Sequence, residues 1–132
     1  MKQKSWLMYL LISVLGVLSI VLPIFLQPDI KHYESPLFPL IRTGIEGFSL
    51  WSFAFLFSTG FAIRFLTKLP SWKIGLTTIT LFPVMAILEV IVDSSSHNML
   101  PFEFIFYAVY TIPAIIGANL AQLVQRAFIK RT

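Results

Sequence analysis

Three of the chain's six carboxylates fall within the fifteen residues Glu89–Glu103, together with one of its two histidines, His97, and the run Ser94-Ser-Ser96. No lysine or arginine lies among them, and the sequence on either side is almost wholly apolar. Glu89 and Asp93 are four residues apart, a spacing that sets two side chains together on a helix and makes like charges repel. Both stand near the C-terminal end of an apolar run, where the helix dipole disfavours negative charge. Glu89 is about one turn inside that run. An ionisable group in the bilayer centre costs roughly 2.5–3.5 kcal/mol on insertion scales, and less near the interface. A proton, a cation or a basic neighbour such as Arg42, His32 or His97 must offset that cost.

Three chemistries answer to this pattern. In the first, Glu89 is neutral or hydrogen-bonded to Tyr107 or Tyr110 of the next apolar run, and joins helices without further role. The second is a proton or cation site, with Glu89 and Asp93 as primary groups and His97 or Glu103 closing it. The third is a metal-dependent enzyme at the outer interface, built on Glu89, Asp93, His97 and Glu103, since histidine with carboxylates suits zinc or manganese. No H-E-x-x-H pattern occurs, so the metal signal is weak and no cofactor is assigned. Glu103 and Glu46 have local explanations. Glu103 follows Pro101 in the first turn of a helix, where a carboxylate meets the positive end of the dipole. Glu46 completes a capping box, Thr43-Gly-Ile-Glu46.

The elements that must position these residues are read from the apolar runs. The chain has 132 residues, 57% hydrophobic and only 12% charged, far from the balance of a soluble domain. Four runs approach the ~20 residues needed to cross ~30 Å of hydrocarbon: 6–26, 45–66, 74–92 and 102–124. They predict an all-α integral membrane bundle of four transmembrane helices filling one domain over 1–132, with lipid as its solvent. The first run carries Ser13, Gly16, Ser19 and Pro23 on a narrow small-residue face. The second carries Ser49, Ser52, Thr59 and Gly60 in one arc. On the fourth, Ala114, Gly117, Ala118 and Ala121 form small-xxx-small pairs for close helix packing, in line with Glu103, Tyr107, Tyr110 and Gln125. The third and fourth runs are expected to form an antiparallel hairpin. Pro83 and Pro113 fall mid-run, each freeing a carbonyl four residues earlier (Ile79 and Val109).

Basic residues set the orientation. Lys2, Lys4, Arg64, Lys68, Lys73, Arg126, Lys130 and Arg131 lie at the N-terminus, the second connection and the C-terminus; Lys31 and Arg42 alone lie in the other connections. Positive-inside predicts cytoplasmic N- and C-termini in the plasma (inner) membrane. The net charge of +4 comes from these scattered span ends, which argues against a nucleic-acid face. The absence of cysteine excludes disulfides, thiol catalysis and thiolate metal sites. Four spans make a thin wall for a pathway, so a homo-oligomer or a larger membrane partner is expected. The expected function is a non-enzymatic transport or accessory subunit, with the metal-dependent enzyme as the alternative.

Overall fold

Uninterrupted apolar sequence after Lys4 makes the first helix, α1 (Gln3–Phe25), in a computed structural model that describes residues 3–97 and 100–131. At 1.5 Å per residue its 23 residues extend roughly 35 Å. Pro23 is accommodated within its last turn. The chain then runs without regular structure to α2 (Pro39–Glu46), where Pro39 supplies a first turn with no amide to satisfy. Next come α3 (Leu50–Leu66), α4 (Ser71–Thr78), α5 (Leu81–Val92) and α6 (Leu100–Ile129). All regular structure is helical, and no strand occurs among the described residues.

Three segments are long and apolar enough to cross a membrane: Ser5–Phe25, Ser71–Val92 and Leu100–Ile129. A fourth crossing results if α2 and α3, bent by 101° at the intervening residues, count as one span. Large apolar side chains stand exposed along these helices, among them Leu7, Leu11, Ile91, Ile105 and Leu123. Water would penalise that surface by ~25 cal/mol per Å2 of apolar area, whereas lipid does not.

The second helical unit starts differently from the sequence expectation. Thr43 and Glu46 do not open the long helix; they lie inside the short α2, and the break follows at Gly47–Ser49. Thr43 is buried, and its hydroxyl accepts the Tyr33 amide at 3.0 Å, tying the preceding connection down. The capping box is instead Ser49 with Ser52: the Ser52 amide donates to Ser49 Oγ at 3.5 Å, and the Ser49 amide donates to Ser52 Oγ at 3.2 Å. The box is closed by a serine pair, and glycine at position 47 leaves room for the close approach of Ile30 and of the Thr43 carbonyl, which a Cβ there would overlap.

The two mid-run prolines also differ. Pro83 cannot donate to the Ile79 carbonyl, and the helix breaks there, between α4 and α5. Ile79 O is taken by the Phe82 amide at 3.0 Å. Pro113 is carried inside α6 without interruption.

Small residues decide how the helices meet. α6 packs mainly along α3. A Cβ on Gly60 would overlap the Ala114 carbonyl, and one on Gly117 would overlap the Phe57 carbonyl, so the two backbones touch at both points. Ala114, Ala118 and Ala121 are fully buried beside them. Gly16 of α1 meets the Thr78 backbone in the same way, with Ser13 Oγ donating to Thr77 O at 3.0 Å. Ser19 shares a 3.0 Å hydrogen bond with Thr59 of α3. α5 touches α6 sparingly, so the expected hairpin of third and fourth runs is splayed at the α5 end. α2, held against α1, lies across that opening.

Candidate carboxylate–imidazole site

Glu89 occupies the last turn of α5 and is 3% exposed. Its hydrogen-bond partners come from two other parts of the chain, the connection before α2 and the connection after α5. Ser35 Oγ donates to Oε1, and the Phe38 amide donates to the same oxygen at 3.0 Å. His97, on the connection after α5, brings Nε2 to 2.5 Å from Glu89 Oε2. The other ring nitrogen, Nδ1, lies 2.6 Å from Glu103 Oε2 in the first turn of α6. Tyr107, one turn further along α6, donates its hydroxyl to that same Glu103 oxygen at 3.2 Å. The imidazole is only 6% exposed.

Taken as hydrogen bonds, the two imidazole contacts set a proton count. Each nitrogen–oxygen contact at hydrogen-bond length needs one proton between its two atoms. Two such contacts hold two protons among His97, Glu89 and Glu103. Whether the ring is an imidazolium between two carboxylates, or a neutral ring beside one neutral carboxyl, the group carries net charge −1. Removing one proton breaks a contact and leaves two negative charges in a poorly hydrated place. Adding one leaves the group neutral.

Asp93 stands apart from this group. α5 ends at Val92, so Asp93 caps the helix: its amide still donates to Glu89 O at 2.8 Å, but with φ −142° and ψ 104° its own backbone is extended, not helical. Its side chain faces solvent and accepts from Ser95 Oγ at 2.7 Å and the Ser95 amide at 3.0 Å. The Ser95 hydroxyl first, and its amide second, hold the Asp93 carboxyl below the usual carboxylate range. Tyr110 does not reach Glu89 either: its hydroxyl donates to Ile45 O at 2.7 Å and its ring stacks on Phe48, 4.4 Å between centroids. The structure thus brings together Glu89, His97, Glu103 and Tyr107, and keeps Asp93 and Tyr110 outside their hydrogen-bond network.

Ser35 and the Phe38 amide were not foreseeable as partners of Glu89. They lie more than fifty residues earlier, in a proline-rich connection with no periodic pattern. Arg42 had been noted only as a possible counter-charge; its guanidinium donates to Ser96 O at 2.9 Å and so clasps α2 to the connection that carries His97. Beneath the triad, between α2, α5 and α6, is a cavity of about 510 Å3. Glu89, His97 and Glu103 line it, as do Arg42 and Glu46. No three histidine or acidic side chains among the described residues converge as ligands of one metal ion, because His97 turns its two nitrogens to different carboxylates. Comparison with protein-family models, curated proteins and solved structures returned no match.

Proposed function

We propose that the protein is a non-enzymatic, multi-pass protein of the plasma (inner) membrane, a small transport or accessory subunit whose proton site is the Glu89–His97–Glu103 triad. The bridging imidazole is the observation that carries this reading: one ring joins two carboxylates that could not share a buried site without bound protons. Eight of the ten basic residues support cytoplasmic termini, and with them an exterior-side position for the triad. A proton exchanged there would change the group's charge by one and make or break a contact that joins α5, α6 and the connection between them. Such a change is a local event able to bias the packing of whole helices. The thin four-span wall favours action as a homo-oligomer or beside a larger membrane partner. A metal-dependent enzyme would need His97 and the carboxylates to converge on one point, and the bridging geometry directs them apart.

The test is infrared difference spectroscopy of the purified protein after pH jumps across the range in which it stays folded. The expected signal is a carboxyl band that disappears in Glu89→Gln and shifts in His97→Ala. Identical carboxyl difference bands in wild-type and Glu89→Gln protein would overturn the proposal.

A further inference from the structure

The cavity under the triad has a wall chemistry that the proton site does not use. Six aromatic rings line it: Phe38, Phe82, Phe102, Phe106, Tyr107 and Tyr110. Its volume of about 510 Å3 falls within the ~300–1,000 Å3 typical of small-molecule sites. Aromatic faces carry negative electrostatic potential and attract cations that have shed water. The charged groups on the wall are Arg42 and Glu46 of α2, Glu89 of α5, His97, and Glu103 of α6. With both imidazole contacts taken as hydrogen bonds the triad counts −1, Arg42 +1 and Glu46 −1, a sum of −1 for the cavity. Arg42 is already engaged by Ser96 O. Glu46 is solvent-exposed, and its side chain makes no ion pair or hydrogen bond among the described residues, although Arg42 lies four residues before it on the same helix. A carboxylate that lines an aromatic cavity and also meets solvent is complementary to one positive charge on an apolar body that enters from outside.

The rim points to where such a molecule would come from. Phe102 and Phe106 line the cavity and are also 57% and 58% exposed, next to the exposed Ile105 on the outer surface of α6. Side chains exposed on an apolar helix that crosses a membrane meet acyl chains. The entrance therefore communicates with lipid, into which lipophilic cations partition and small hydrated ions do not.

We propose that this cavity binds a monovalent lipophilic organic cation, with Glu46 as counter-charge and the six rings as its walls. The inference shares the triad's net charge with the proposed function, but it does not depend on proton exchange, so each can fail alone. The full chain in phosphatidylcholine nanodiscs is titrated with tetraphenylphosphonium, and empty nanodiscs provide the correction for partitioning. The expected result is saturable binding of one cation per chain, with no comparable binding of tetraphenylborate, an anion of the same shape. Glu46→Gln, which removes the unpaired charge without emptying the wall, should weaken binding about tenfold, equivalent to ~1.4 kcal/mol. Phe106→Ala, at an exposed position that folding tolerates, should weaken it as well. Ala86→Phe fills the cavity from a buried wall position and should abolish binding; circular dichroism and a monodisperse elution peak establish whether that variant is folded. Equal binding of cation and anion, unchanged affinity in Glu46→Gln, or no saturable binding above empty nanodiscs would each overturn the proposal. The infrared test of the triad is run without the cation, and its outcome is independent of these.

Discussion

Truncating His97 to alanine would leave Glu89 with only Ser35 and the Phe38 amide as donors, and Glu103 with Tyr107. Removing one partner of a buried charged group costs roughly 3–5 kcal/mol, chiefly because the other is left uncompensated. His97→Ala should therefore lower unfolding stability in detergent by about that amount, while Glu89→Gln, which removes the charge itself, should cost less. Equal destabilisation by the two variants would show that charge compensation is not what His97 supplies. Asp93 makes the contrast. Its depressed carboxyl pKa means that its contribution to stability is present above the unfolded value and is lost as pH falls through the folded one. Ser95→Ala removes the hydroxyl that contributes most to the shift. A carboxyl-carbon NMR titration should then find Asp93 moved up toward its ordinary value, with little change in stability near neutrality, because the group is fully exposed. At this scale the sequence was informative about which residues are unusual and poor on which of them meet. Glu89, His97 and Glu103 stood out as polar residues in an apolar setting. The pairing of Glu89 with Asp93 rested on helical spacing continuing one residue beyond where α5 stops.

Helix contacts depend on a few positions where a side chain cannot exist. Gly117 lies against the Phe57 carbonyl and Gly60 against that of Ala114, both backbone atoms that cannot move aside like the end of a flexible side chain. Gly117→Leu should force α3 and α6 apart, and even Gly117→Ala should reduce the yield of monodisperse protein on size exclusion. A normal elution profile for the leucine variant would place this face of α6 elsewhere. The small-residue stripe on the fourth run was legible because small-xxx-small spacing is local. Its partner on α3 was legible only in part, since Gly60 belonged to an arc of candidates. The bend before α3 was misread for an equally physical reason: Thr43-Gly-Ile-Glu46 satisfies the capping-box pattern, but Thr43 serves the Tyr33 amide while Ser49 and Ser52 cap the helix. Losing a cap of this type costs about 1 kcal/mol. Ser49→Ala should show that loss in detergent unfolding, and Glu46→Gln should not.

At the scale of the molecule, the apolar helices and the basic residues lead to one arrangement with consequences at both faces. α2 lies across the splayed ends of α5 and α6, and the triad and cavity sit under it. If the termini are cytoplasmic and α2 with α3 makes one span, α2 and the connection at 93–97 face the exterior, and the proposed proton exchange would take place from that side. The basic asymmetry is read from side chains within a few residues of the helix ends, where the positive-inside rule operates. It is also redundant: the N-terminus (Lys2, Lys4), the junction of α3 and α4 (Arg64 in α3, Lys68 between them, Lys73 in α4) and the C-terminus (Arg126, Lys130, Arg131) each hold at least two of the eight basic residues. Reversing the protein should therefore require altering more than one of them. A cytoplasm-active reporter fused after Thr132 should be active, an exterior-active reporter at the same point silent, and a labelling tag inserted after Ser94 accessible from outside intact cells. Replacing Lys2 and Lys4 alone should leave this pattern unchanged, because six basic residues remain on the same side. An exterior-active reporter at Thr132 in the unaltered chain would invert the arrangement, and with it the side from which the proposed proton exchange at Glu89, His97 and Glu103 would occur.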